Sequence, residues 1–149
     1  MILIIGYLLC ALILLGFLSI VHLIIPVPTW YINNLVLIQC AYFGSLGGIL
    51  YCLRGVYLNK SVRKNWDKDW TVWYYLRPLT SLISGFISGI LLRAGLLILD
   101  ASTQSEQTFF GFYAISFIAG YNVDNFLKKI ESLAKTTWGI DPSNVSKKD

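Results

Sequence analysis

The chain has 149 residues, 56% of them hydrophobic and only 13% charged, with a net charge of +4, a pI near 9.0 and a mean hydropathy of +0.62. Soluble domains carry about a quarter charged residues and lack apolar runs of about 20 residues, so an ordinary water-soluble enzyme or binding domain is excluded. The basic residues are gathered in particular loops rather than spread along a face, which points to membrane topology and not to nucleic acid as the reason for the charge.

Met1 leads directly into ILIIGYLLCALILLGFLSIVHLII, so a first membrane helix is expected over residues 2–25. It lacks the basic start, short apolar stretch and small-residue cleavage site of a signal peptide, and is read as retained. Pro26 and Pro28 interrupt it, and Trp30 and Tyr31 mark an interface. A second span is expected over 32–57. Within it Cys40, Gly44, Gly48 and Cys52 recur every four residues, a small-residue face that allows close helix approach or oligomer contact. The GSLGG run within it has no preceding strand and no following Lys-Ser/Thr, so it is not a phosphate loop.

Residues 59–72 (NKSVRKNWDKDWTV) form the main polar connection. Trp66, Trp70 and Trp73 fall at helical spacing opposite Lys64, Lys68 and Thr71. A short amphipathic helix in the membrane interface is therefore expected here, with its tryptophans turned to lipid or to a partner. The same interleaving could stack single-stranded nucleic acid, but the closely flanking spans favour the membrane.

The third span, expected over 77–100, holds 22 residues from Pro78 to Leu99 in which Arg93 alone is ionisable, about 33 Å of helix. Arg77 and Pro78 mark its entry. Ser81, Gly85 and Gly89 give it a second small-residue stripe. Arg93, near its outer end, must snorkel, pair with Asp100 or Glu106, or line an anion-selective mouth in an oligomer. The fourth span is expected over 108–127, kept thin by Gly111 and Gly120. Its purely apolar part, Phe109 to Tyr121, covers only about 20 Å, so the helix must reach into Asn122, Asp124 and Asn125. Those three are placed at the cytoplasmic interface, with Asp124 near enough to Arg77 or Arg54 to pair. A re-entrant or tilted helix is the alternative. The apolar spacing of Phe126, Leu127, Ile130, Leu133 and Ala134 against Lys128, Lys129, Glu131 and Lys135 predicts an unbroken helix to about Thr136, followed by a mobile tail within 131–149.

Lysine and arginine number six in 54–77 and five in 122–149, with Arg93 completing the twelve. By the positive-inside rule both termini and the tryptophan loop face the cytoplasm. The fold expected is thus all-α: a polytopic four-helix membrane domain over 1–130 with a cytoplasmic helical end.

LGGILYCLRG, WYYLRPLTSLISGFISGILLRAGLLIL and YAISFIAGYNVDNFLKKIESL together resemble a bacterial inner-membrane domain. Its most specific pieces are Arg-Pro-Leu at 77–79 and Arg-Ala-Gly at 93–95, and the resemblance spans about residues 40 to 135. It implies an inner-membrane module, found alone or attached to other domains, with no established chemistry.

Cys10, Cys40 and Cys52 all fall in spans and show no metal or redox spacing, and the lone His22 reads as an interfacial residue. The acidic residues form no mid-membrane pair and the serines have no local base. No catalytic residue, metal ligand or cofactor is expected. The function expected is that of a non-enzymatic, homo-oligomeric inner-membrane subunit that anchors or responds to a cytoplasmic protein partner, in a setting such as phage defence or stress. A channel or holin-like pore using Arg93, Asn122, Asp124 and Ser116 is one alternative. An immunity protein against a pore-forming toxin is another.

Overall fold

Without water to pair with, a lipid-embedded backbone must satisfy its own polar groups, and an uninterrupted apolar run does so as a helix. A computed structural model of the chain describes residues 2–64, 70–96 and 107–141, and every regular element among them is helical. They are α1 (Ile2–Ile24), α2 (Thr29–Asn33), α3 (Leu35–Tyr57), α4 (Thr71–Arg93), α5 (Gln107–Tyr121) and α6 (Val123–Trp138), with a π-helical turn, Leu58–Val62, extending α3. Three stretches are long and apolar enough to cross a membrane: Ile2–Val21, Leu35–Val62 and Thr71–Arg93. The apolar helix Phe109–Tyr121 is shorter.

The core is a triple contact of α3, α4 and α5, and its closeness comes from missing side chains. A Cβ on Gly44 would lie 2.6 Å from both the Gly85 Cα and the Ser81 carbonyl oxygen. One on Gly85 would lie 2.5 Å from the Cys40 carbonyl oxygen, and one on Gly120 would strike the Gly44 carbonyl. Gly47 likewise faces the Phe117 carbonyl, and Gly48 the Ser81 side chain. Serine hydroxyls fasten the same seams. Ser81 Oγ donates to the Gly120 carbonyl at 2.8 Å, Ser45 Oγ to the Pro78 carbonyl at 3.5 Å, and the Ser88 and Ser116 hydroxyls lie 2.8 Å apart. The small-residue faces at Gly44, Gly48, Ser81, Gly85, Gly89 and Gly120 are therefore occupied by helices of the same chain. Gly111 is half-buried on α5.

α1 is peripheral. Ile4 and Leu8 pack with Ile49, Cys52, Val56 and Tyr74, while Ile13, Phe17 and Ile20 on its outer side are exposed. A continuous apolar outer surface of this kind suits lipid as solvent.

Three boundaries differ from the sequence reading. α4 starts at Thr71, not at residue 77, so Pro78 sits inside a helix rather than in its first turn. The early start is held by packing: Tyr74 is buried against α1 and α3, and its hydroxyl accepts from Asn59 Nδ2 at 3.4 Å. The interfacial helix expected over 59–72 is divided, because its first residues belong to the π turn and its last to α4. Its centre, with Trp66 and Lys68, lies outside the described residues, as do the outer end of the third span beyond residue 96, residues 97–106 and the tail from 142. Finally, the helix expected to run unbroken past residue 121 breaks at Asn122, whose φ of −125° and ψ of 59° leave the helical region. α6 restarts at once and ends in a left-handed Gly139 whose N–H donates to Lys135, with Ile140 N–H reaching back to Ala134, a glycine C-cap.

The contrast between crowded and open glycines gives a direct test. Gly44→Ala, Gly85→Ala and Gly120→Ala each force backbones apart and are expected to cost about 1–3 kcal/mol or more. Gly16→Ala, with nothing within 4 Å of the added carbon, should be neutral or stabilise by about 0.5–1 kcal/mol. Unfolding titrations in mixed micelles would separate the two groups.

Candidate functional site

Arg77, Trp73, Tyr51, Tyr121 and Asp124 come from four helices and meet at one end of the bundle. Arg77 lies in the second turn of α4, one turn beyond Trp73, so both side chains project from one face. Tyr51 arrives from α3, Tyr121 is the last residue of α5, and Asp124 stands in the first turn of α6, where the helix dipole favours an acid. The break at Asn122 makes this possible, because it redirects the chain so that Val123 is buried and Asp124 meets α4.

The guanidinium is enclosed. Its Cζ lies 4.8 Å from the Tyr51 ring centroid and 5.1 Å from that of Trp73, both within cation–π range. Nη1 donates to Asp124 Oδ2 at 3.0 Å, and Nη2 to the Tyr121 carbonyl at 3.4 Å. Nε is buried with no hydrogen-bond partner. The ion pair is lopsided: the Arg77 side chain is 4% exposed and that of Asp124 69%. A desolvated cation needs its carboxylate, its carbonyl and its two ring faces, whereas a wetted carboxylate needs the arginine far less. Arg54, at the exposed end of α3, donates from Nη1 to the Tyr121 hydroxyl at 2.8 Å. The two arginines thus hold the final residue of α5 by its carbonyl and its hydroxyl.

This arrangement joins four helices at one end of the bundle. Among the described residues no group of three or more metal-ligating side chains exists. Cys40 and Cys52 are buried and Cys10 exposed, all three unpaired. The arrangement sorts the candidate residues into three sets. Arg54, Arg77 and Asp124 come together, and Trp73 packs on Arg77. Trp70 precedes α4 and is largely exposed, and Asn122, Lys128 and Lys129 lie exposed around and along α6. Arg93 is far from them: it is the last residue of α4, exposed, with no ion pair among the described residues. Ser116, a pore candidate in sequence, is spent on Ser88 inside the protomer.

Sequence reasoning missed Tyr51 and Tyr121 as arginine partners. The signal available was only that each stands at a span end rich in arginine. It also missed Gln39, the one amide within the apolar part of α3. No family model, curated protein or solved structure matches the chain.

Arg77→Lys keeps the charge but loses the planar fork and the ring stacking. It is expected to raise hydrogen exchange across α6 while leaving the α3–α4–α5 seams protected. Asp124→Asn leaves the enclosed guanidinium without its carboxylate and should cost about 3 kcal/mol. Arg77→Ala leaves only an already wetted carboxylate behind, so its cost comes from the lost packing on Tyr51 and Trp73. A double-mutant cycle in micelles measures both and their coupling.

Proposed function

We propose that this protein is a non-catalytic bacterial inner-membrane subunit whose α3–α4–α5 core anchors α6 as a docking element for a cytoplasmic protein partner. The observation that carries this reading is how little of α6 is buried. Val123 is its only buried residue, and the Arg77–Asp124 bond joins its first turn to the bundle. The rest of α6 has a clean apolar side, with Phe126, Ile130 and Leu133 half-exposed and Leu127 exposed, and a polar side carrying Lys128, Lys129 and Lys135. An amphipathic helix so little buried needs a second surface to cover its apolar side.

On this reading α1, α3, α4 and α5 cross the membrane and both termini are cytoplasmic. Arg54 and Arg77 lie at the same end of the bundle as Tyr121 and Asp124, because they touch them. Both lysine- and arginine-rich segments therefore leave the core on one side, which the positive-inside rule assigns to the cytoplasm. α5 alone is about 22 Å long. At its end the exposed Arg54 can extend toward the headgroups, while Arg77 stays enclosed and bonded to its last carbonyl. Association between copies uses surfaces other than the glycine faces, which the chain fills itself.

A photo-crosslinking residue at Lys129 or Ser132 in intact cells is expected to give one protein adduct of constant mass, reduced by Arg77→Lys. The same probe at Ile13 should give only lipid or self-adducts. Lipid adducts alone at all three positions would overturn the docking role, and a C-terminal tag accessible from outside the cell would overturn the orientation.

A further inference from the structure

α1 leans on the bundle through its first half only. Ile4 and Leu8 are buried there, whereas beyond Leu15 the helix parts from α3, and the Pro26-Val27-Pro28 connection spans the gap. The separation leaves a side-opening groove of about 300 Å³ between α1, the first half of α3 and α4, lined by Leu15, Leu18, Ile38, Ala41 and Leu82. One amide, Gln39, also lines it. Gln39 is half-buried and makes no hydrogen bond among the described residues.

We infer that this groove is a phospholipid site, with one acyl chain in the groove and its ester carbonyl accepting a hydrogen bond from the Gln39 amide. The inference rests on the chain being membrane-embedded, not on α6 having a partner. Water is an unsuitable occupant, because it needs two to four polar partners and the lining offers few. A helix from a second copy is a poor match, because its backbone carbonyls are spent within the helix and leave the Gln39 amide without an acceptor. An extended hydrocarbon chain fits, and it restores the dispersion contacts that an empty gap forfeits. The polar complement is specific as well. Gln39 stands about 6 Å inside the start of α3, roughly one turn below the Trp30–Tyr31 interface helix. That is the depth at which a glycerol ester ends and its chain begins, and an unpaired amide at that depth costs free energy unless an acceptor meets it. A phospholipid ester supplies a carbonyl, which accepts, where the amide NH2 donates.

The test uses the full chain in nanodiscs of phosphatidylethanolamine and phosphatidylglycerol, doped with a phosphatidylethanolamine carrying a photoreactive group on one acyl chain. Labelling is expected to concentrate on Ile38, Ala41 and Leu82 over the freely exposed Leu79 and Ile83 of α4. Ala41→Phe, which fills the groove, should remove that labelling and leave Leu79 and Ile83 labelled as before. Gln39→Leu keeps the volume and so guards against misfolding. It should lower the phospholipid retained per chain in mild-detergent mass spectrometry by about threefold, the worth of one hydrogen bond in lipid. Even labelling of groove and outer face, or copy-to-copy crosslinks joining Leu15 to Leu82, would overturn the site. Release of the wild-type chain from membranes by alkaline extraction would instead defeat the membrane reading on which it rests.

Discussion

The structure depends on one place where three backbones touch. Gly44 on α3 meets Gly85 on α4 and Gly120 on α5, so close that no side-chain carbon fits between them. In lipid the hydrophobic effect gives helices no reason to associate, and close packing together with interhelical hydrogen bonds must supply it. Both are present at this junction. Glycine brings the backbones into contact, and Ser81 and Ser88 then reach oxygen atoms on α5 that would be out of range between bulkier helices.

From that junction the arginine cluster follows. Because Gly120 is pressed against Gly44, the next residue, Tyr121, ends α5 against the ends of α3 and α4, where Arg54 and Arg77 take its hydroxyl and carbonyl. The helix then breaks at Asn122, and Asp124 completes the coordination of Arg77. The cluster is enclosed at Arg77 and wet at Asp124. The groove beside α1 has the opposite origin: α1 carries no glycine that meets another backbone, so it stays at a distance and leaves room for lipid.

Much of the helical layout was legible in the residues. Apolar runs longer than a bilayer needs fixed α1, α3 and α4, and the four-residue spacing of small side chains marked the faces that pack. What pattern could not supply was the identity of the packing partner. A small-residue stripe looks the same whether it meets a second copy or a neighbouring helix of its own chain, and here it meets its own. The start of α4 was hidden by Pro78, which marks a first turn in an isolated helix yet is tolerated deeper when neighbouring helices satisfy the carbonyls it frees. The break at Asn122 was hidden for a related reason: helical spacing continues through it, and the rotation comes from tertiary bonds to Tyr121 and Asp124.

The sequence by itself determined an all-helical chain with stretches suited to lipid, the residues able to pack closely, and the ends at which its charges gather. Those properties depend on hydropathy and on the 3.6-residue period, both local. The tertiary structure alone decided that the glycine faces close on one another within the protomer, that Arg77 is enclosed by Tyr51 and Trp73, that Asp124 joins the first turn of α6 to the bundle, and that Gln39 is left facing an open groove. Each of these depends on which distant residues share a point in space, and spacing along a chain does not encode that.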